Sequence, residues 1–371
     1  MREFLNELFT KRYKYDFSYI LSLSISILLA LILGAVIMLI LGYNPIEGYG
    51  ALIKGAFGSP RGIGDTLAKT VTLAMTGLAM AVAAKAGMFN VGGEGQLFLG
   101  AMAAAIVGAE LTGVSPIIAI PLCLLAAMAA GGAYASIPAV LKVRLGVNEV
   151  ITTIMMNSIA IYLCVYLSNG PLKTTERGIA SGTQAIDPEF KFTRLITSST
   201  LTQSIFIAAV IALVVWYFMS KTAQGYEQRL TGQNYEFSRY SGFKTNRIAI
   251  ISMIISGAIC GLVGMFEVFG IHGRFIESIS KEFYFDGMLV AMIMRYNPIG
   301  IVVISIFFAA LKMGSTAMEM KVGISSELIL VVQSIIIFFM AAENGISRIL
   351  KEKAAIRKAK REYLAAKAGN V

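Results

Sequence analysis

From Phe17 to Tyr43 the chain carries no charged side chain. That run exceeds the roughly 20 residues a helix needs to cross the hydrocarbon of a bilayer, and it is too long for the core of a signal peptide. It is therefore expected to be a retained first membrane span. The rest of the chain repeats the signal. With 56% hydrophobic and 15% charged residues it is too apolar for a soluble domain of this length and too poor in charge to coat one.

Further spans are expected at 65–84, 90–110, 116–141, 149–168, 202–220, 248–270 and 323–342. The stretch from Phe283 to Ser315 is apolar but interrupted by Arg295, Asn297 and Pro298. Read as two short spans meeting at "RYNP", it leaves Lys85, Lys142, Arg144, the 221–247 loop and both termini on one side of the membrane, which the positive-inside rule makes cytoplasmic. The expected fold is all-α: a polytopic bundle of ten transmembrane helices, some short or broken, in the plasma membrane. Residues 1–16 form a cytoplasmic segment, 17–347 a single transmembrane domain and 348–371 a basic cytoplasmic tail. Residues 169–201 form an extracellular loop.

The net charge of +10 resides mainly in the tail and the inner loops. That placement fits topology and contact with anionic membrane lipids, and excludes nucleic acid as the partner. Cys123, Cys164 and Cys260 all fall in apolar spans without metal or redox spacing, and His272 is the only histidine. No metal site and no catalytic residue are expected.

Polar residues inside the spans are the candidate sites. "FNVGGEGQ" (89–96) holds Asn90, Glu94 and Gln96 among glycines, where unpaired polarity is expensive. It reads either as a polar break beside a translocation path or as a structural bracket. Asn148, Glu149, Thr152, Thr153 and Asn157 recur at helical spacing and offer a polar stripe, facing a pore or bonded locally. Asp286 and Arg295 are too far apart along one helix to pair. Asp286 needs another partner, Arg295 is expected to snorkel to headgroups, and Asn297 lies in the break.

The loop "KTAQGYEQRLTGQNYEFSRYSGFKTN" (221–246) carries the sharpest pattern. Asn234 can cap a short helix, with Glu236 near its positive end, Arg239 near its negative end and Gly242 as the left-handed stop. Two turns of helix are marginal alone and need a docking surface. Thr222, Gly225, Arg229, Gly232, Asn234, Arg239, Tyr240 and Gly242 match the cytoplasmic loop of ABC-importer permeases of the ribose and branched-chain amino acid group. "FNVGGEGQ" resembles a second signature of that group. "LKVRLGVNEVITTIMMNSIA" and "FDGMLVAMIMRYNPIG" resemble its nucleoside, or simple-sugar, branch.

The resemblance implies a type II-like importer permease that carries nucleosides, and it makes 221–247 the loop that couples to an ATPase subunit. Here "YEFSR" stands where the group often has paired alanines before the arginine. The implied partners are that ABC ATPase, a second homologous permease in a heterodimer with a homodimer as the alternative, and an extracellular substrate-binding lipoprotein. The sequence has no G-x-x-x-x-G-K-[ST], so this chain is expected to bind no cofactor, and ATP with Mg is used by the ATPase. A pentose or other simple sugar is the alternative solute, and an ion-coupled secondary transporter is the alternative mechanism. A membrane enzyme has no nucleophile or metal cluster to support it.

Overall fold

A computed structural model describes residues 24–175 and 181–339. The amino-terminal segment, the start of the first expected span and the basic tail lie outside the described residues. The described residues form helices without a strand, apart from one isolated bridge between Arg194 and Thr202. In chain order they are α1 (Ser24–Ile40), α2 (Pro45–Phe57), α3 (Pro60–Lys85), α4 (Gly93–Glu110), α5 (Pro116–Leu145), α6 (Glu149–Asn169), α7 (Ser204–Lys221), α8 (Ala223–Gln233), α9 (Tyr235–Tyr240), α10 (Thr245–Glu267), α11 (Phe283–Ile293), α12 (Pro298–Val322) and α13 (Glu327–Phe339).

The chain divides into two units, one of residues 52–317 and one of residues 1–51 with 318–371. In the smaller unit, the Tyr49 hydroxyl on α2 donates to the Leu31 carbonyl of α1 at 2.7 Å. Tyr43 donates to Gly323 at 3.3 Å. The sequence pattern does not anticipate α2, because its Pro45 start and mixed composition resemble a loop.

The larger unit is built around α3 and α10, whose apolar stretches are 78% and 72% buried, whereas α6 and α7 are 22% buried and present their apolar sides outward. α10 packs most extensively on α5, then on α4 and α3. The α4–α10–α5 seam is made of small residues. Gly261 lies against Gly100 of α4 and Ala127 of α5, and Gly257 against Gly131 of α5. Without a hydrophobic drive between helices in lipid, such close approach supplies the packing energy.

Helix ends follow local chemistry. Ser59 caps α3 by accepting from the Gly62 amide at 3.1 Å, with Pro60 at the first position. α5 closes with Lys142 and Arg144 in its last turn and Gly146 at φ +69°. Asn148 then caps α6 by accepting from Val150 at 2.9 Å.

The Phe283–Ser315 stretch does break at "RYNP". α11 ends at Ile293, Arg295 and Tyr296 take φ values of +49° and +61°, and Asn297 caps α12 by accepting from Ile299 at 3.1 Å. Proline bars the helix from running through. α11 corrects the expected geometry, however. At eleven residues it is about 16 Å long, half of a ~30 Å hydrocarbon core.

Two contacts fix its direction. The Lys69 ammonium lies 3.4 Å from the centre of the Phe283 ring, and Lys85 lies 6.0 Å from that of Tyr296. α11 therefore runs parallel to α3, from the level of Lys69 to the end that carries Lys85. Single cysteines at Asn297 and Ser325, in a background without the three native cysteines, are expected to label with impermeant reagents from the inside and the outside respectively. Labelling of both from one side would remove the α12 crossing.

Candidate functional site

Three groups of residues carry the candidate chemistry, and the structure treats them differently. The first is the 221–247 loop. Sequence spacing suggests one short helix here, and the structure builds two. α8 is capped by Thr222, whose hydroxyl accepts from Gly225 at 3.0 Å. Gly232 at its far end lies against the backbone of Lys85 and Gly87. Gln228 ties the helix to the bundle, donating to the Val82 carbonyl at 2.7 Å and to the Ser252 hydroxyl at 3.0 Å. α8 is the docked half of the loop.

α9 is the presented half. Asn234 accepts from the Phe237 amide at 2.9 Å, Glu236 and Arg239 sit in its first and last turns, and Gly242 follows at φ +86°. A side chain with a Cβ would be strained at that φ. Tyr235, Phe237 and Tyr240 are 42%, 58% and 88% exposed, a group of large aromatics on a capped helix of six residues. Aromatics in contact with water on so short a helix mark a surface made to be covered. Arg229 lies on α8, inside the docked half.

The second group is "FNVGGEGQ", which bends the chain between α3 and α4. Of its two readings, the bonding is that of a bracket. The Asn90 and Gln96 amides exchange two hydrogen bonds, at 2.9 and 3.1 Å, and Asn90 also donates to Ser256 of α10 at 2.9 Å. The Glu94 carboxylate accepts from the Tyr284 amide at 2.9 Å, so an acid of α4 satisfies one of the orphan donors at the start of α11. The Tyr284 hydroxyl returns to the Asn90 carbonyl. Gly93 faces that same ring, and a Cβ there would enter it.

The polar stripe on α6 is bonded as well. Asn157 accepts from Gly95 at 2.8 Å and donates to Val91 at 2.8 Å, and Thr153 accepts from Val91 at 3.2 Å, so both are spent on the bracket. Thr152 bonds back to Asn148 at 3.1 Å, and Glu149 pairs with Lys142 at 2.8 Å. Thr153 and Asn157 thus hold α6 to the start of α4 and Glu149 holds it to the end of α5, while Asn148 and Thr152 bond within α6.

The third group was only half visible in the sequence. Asp286 pairs with Lys312 of α12. Lys69 of α3 sits beside them over Phe283, within the field of Asp286, Lys312, Glu94 and Glu267. Glu267, buried at the end of α10, accepts from Thr72 at 3.3 Å. Lys69, Glu267 and Lys312 escape sequence reading because each meets its complement only on a distant segment. The usable signal is that Lys69 and Lys312 lie well inside apolar helices, where charge is rare and functional by default.

The described part of the 169–201 loop packs on the bundle. Phe190 and Phe192 are buried, and Phe192 meets Phe269 at 5.8 Å between ring centres. Residues 176–180 within it lie outside the described residues.

Comparison with known proteins identifies the family. Residues 62–341 match the family described as the branched-chain amino acid transport system permease component. The chain is similar to the guanosine ABC transporter permease protein NupP of Bacillus subtilis, 36% identical over 91% of this chain and 98% of that one. It is also similar to the nucleoside ABC transporter permease protein NupB of Lactococcus lactis, 34% identical over 90% and 93%. The glucose ABC transporter permease protein TsgB13 of Haloferax volcanii is 30% identical over 87% of each chain. No solved structure matches. The chain belongs to the branched-chain amino acid transport permease family: it is a multi-pass membrane subunit of an ABC importer, and the ATPase activity that drives it resides in separate subunits.

Proposed function

We propose that this permease carries nucleosides across the plasma membrane, with the 221–247 loop as its coupling element. The observation behind the solute is that two relatives covering nine-tenths of the chain are named for guanosine and for nucleosides. The observation behind the coupling is α9, which is capped at both ends, exposes three aromatics and adjoins the docked α8 at the end that carries Lys85. That end is cytoplasmic by its charge, so both termini are cytoplasmic too, and α9 seats in the ATPase, which binds ATP with Mg. A second homologous permease completes the pore, and an extracellular binding lipoprotein delivers the solute. The glucose-named relative supports a sugar as the second reading.

Tagged chain expressed with its ATPase and purified in mild detergent is expected to carry a second polytopic subunit. In proteoliposomes it should take up radiolabelled guanosine on addition of ATP inside, with no response to a proton or sodium gradient. ATP-driven uptake of glucose but not guanosine would make the solute a sugar. A fully active complex holding only this permease would make it a homodimer.

A further inference from the structure

The connection from α10 to α11 places irregular backbone inside the membrane. α10 continues through one π-helical turn, Val268–His272, and the chain then runs without helix from Gly273 until α11 begins at Phe283. Phe283 lies level with Lys69, which is nine residues, about 13 Å, into α3 from Pro60. Backbone of this kind persists at depth only where it is buried in protein or borders a water-filled cavity.

One side of the connection is sealed. Phe275 and Ile279 are buried, and Glu94 takes the Tyr284 amide. The other side presents Lys69, Phe283, Asp286 and Lys312, all partly exposed. The Lys312 and Asp286 side chains keep 31% and 24% exposure. Lys312 is fourteen residues from the start of α12, about 21 Å, and so too far along it to reach the headgroups at the Pro298 end. Charges left partly exposed at such depth do not face acyl chains. They face a bundle interior or water.

We infer that Lys69, Phe283, Asp286 and Lys312 form a solute-contacting station in the wall of the translocation path, suited to an uncharged solute that bears hydroxyls and a flat ring. The inference rests on the transport function proposed above. The Asp286–Lys312 pair is already neutralised and Lys69 lies in the field of the buried Glu267, so a charged solute gains little and strips one partner of its counter-ion. Hydroxyls and base edges, in contrast, donate to the carboxylate and accept from the ammonium at once. Phe283 adds a ring beside them, fixed by Lys69.

Two measurements on the assembled importer in proteoliposomes test this, in a background with Cys123, Cys164 and Cys260 replaced by alanine. Phe283→Cys should react with an impermeant thiosulfonate at least about tenfold faster than Val303→Cys, an exposed apolar position on α12, and saturating guanosine should slow it. Equal rates would mean that lipid or a second permease seals the face, and would overturn the inference. The charge-removing pair Asp286→Asn with Lys312→Gln should keep complex yield and raise the uptake KM about tenfold, because hydrogen bonds to charged groups are the stronger ones. An unchanged KM would equally overturn it. If the unmodified importer carries glucose and not guanosine, the nucleoside reading falls while protection by glucose and the KM arm still decide the station.

Discussion

With Phe237 and Tyr240 both replaced by alanine, the importer is expected to hydrolyse ATP while uptake falls about 30- to 100-fold, the equivalent of roughly 2–3 kcal/mol for aromatic anchors lost from an interface. Both side chains are largely exposed, so their truncation leaves the bundle untouched. The cap at Asn234 and the stop at Gly242 also stay in place, and α9 keeps its shape while losing the surface that seats it. ATP turnover and solute uptake measured on the same proteoliposomes separate coupling from assembly. If the double variant binds the ATPase and transports at the unmodified rate, α9 is not the coupling element. Asn234→Ala should give a smaller loss in the same direction, about 1 kcal/mol, because it removes the cap and not the contact.

The second large effect is expected at Gly93. Its Cα faces the ring of Tyr284, which is fully buried and held by its hydroxyl to the Asn90 carbonyl. The ring has nowhere to go. Gly93→Ala therefore overpacks the junction of α4 with α11 and should cost about 1–3 kcal/mol, seen as a lower midpoint of thermal unfolding in detergent. Tyr284→Ala should cost about 3–5 kcal/mol through the cavity it leaves. Since the two changes act on one contact, the pair should be less damaging than their sum by about 0.5–3 kcal/mol. Strict additivity would show that the bracket does not pack through this contact.

Much of the architecture was legible because membrane helices announce themselves locally. A helix satisfies its own backbone, so an apolar run and its flanking charges suffice to find it. Capping is equally local: Asn234 and Gly242 act within three residues of the groups they serve, and both behave as their positions suggest. The same holds for the break at "RYNP", where proline and Asn297 leave the backbone few alternatives. α8, the first of the two helices in the 221–247 loop, was less visible, because it owes its place to Gln228 reaching Val82 and Ser252, both remote in sequence.

The polar residues inside the membrane divide along the same line. The sequence by itself determined that Asn90, Glu94, Gln96, Asn157 and Asp286 need partners, since desolvation of a polar group depends on depth alone. It did not determine which partners. Glu94 finds the amide of Tyr284, Asn157 finds the backbone around Val91, and Asp286 finds Lys312, each across a separation that only folding closes. Hence Glu94 and Asn157 are bonded into the bracket, while Asp286 is left partly exposed beside Lys69. Hydropathy is a property of each segment, and the spans follow from it. The partner that each polar group finds is a property of pairs of segments, and it depends on how closely glycine-lined helices approach.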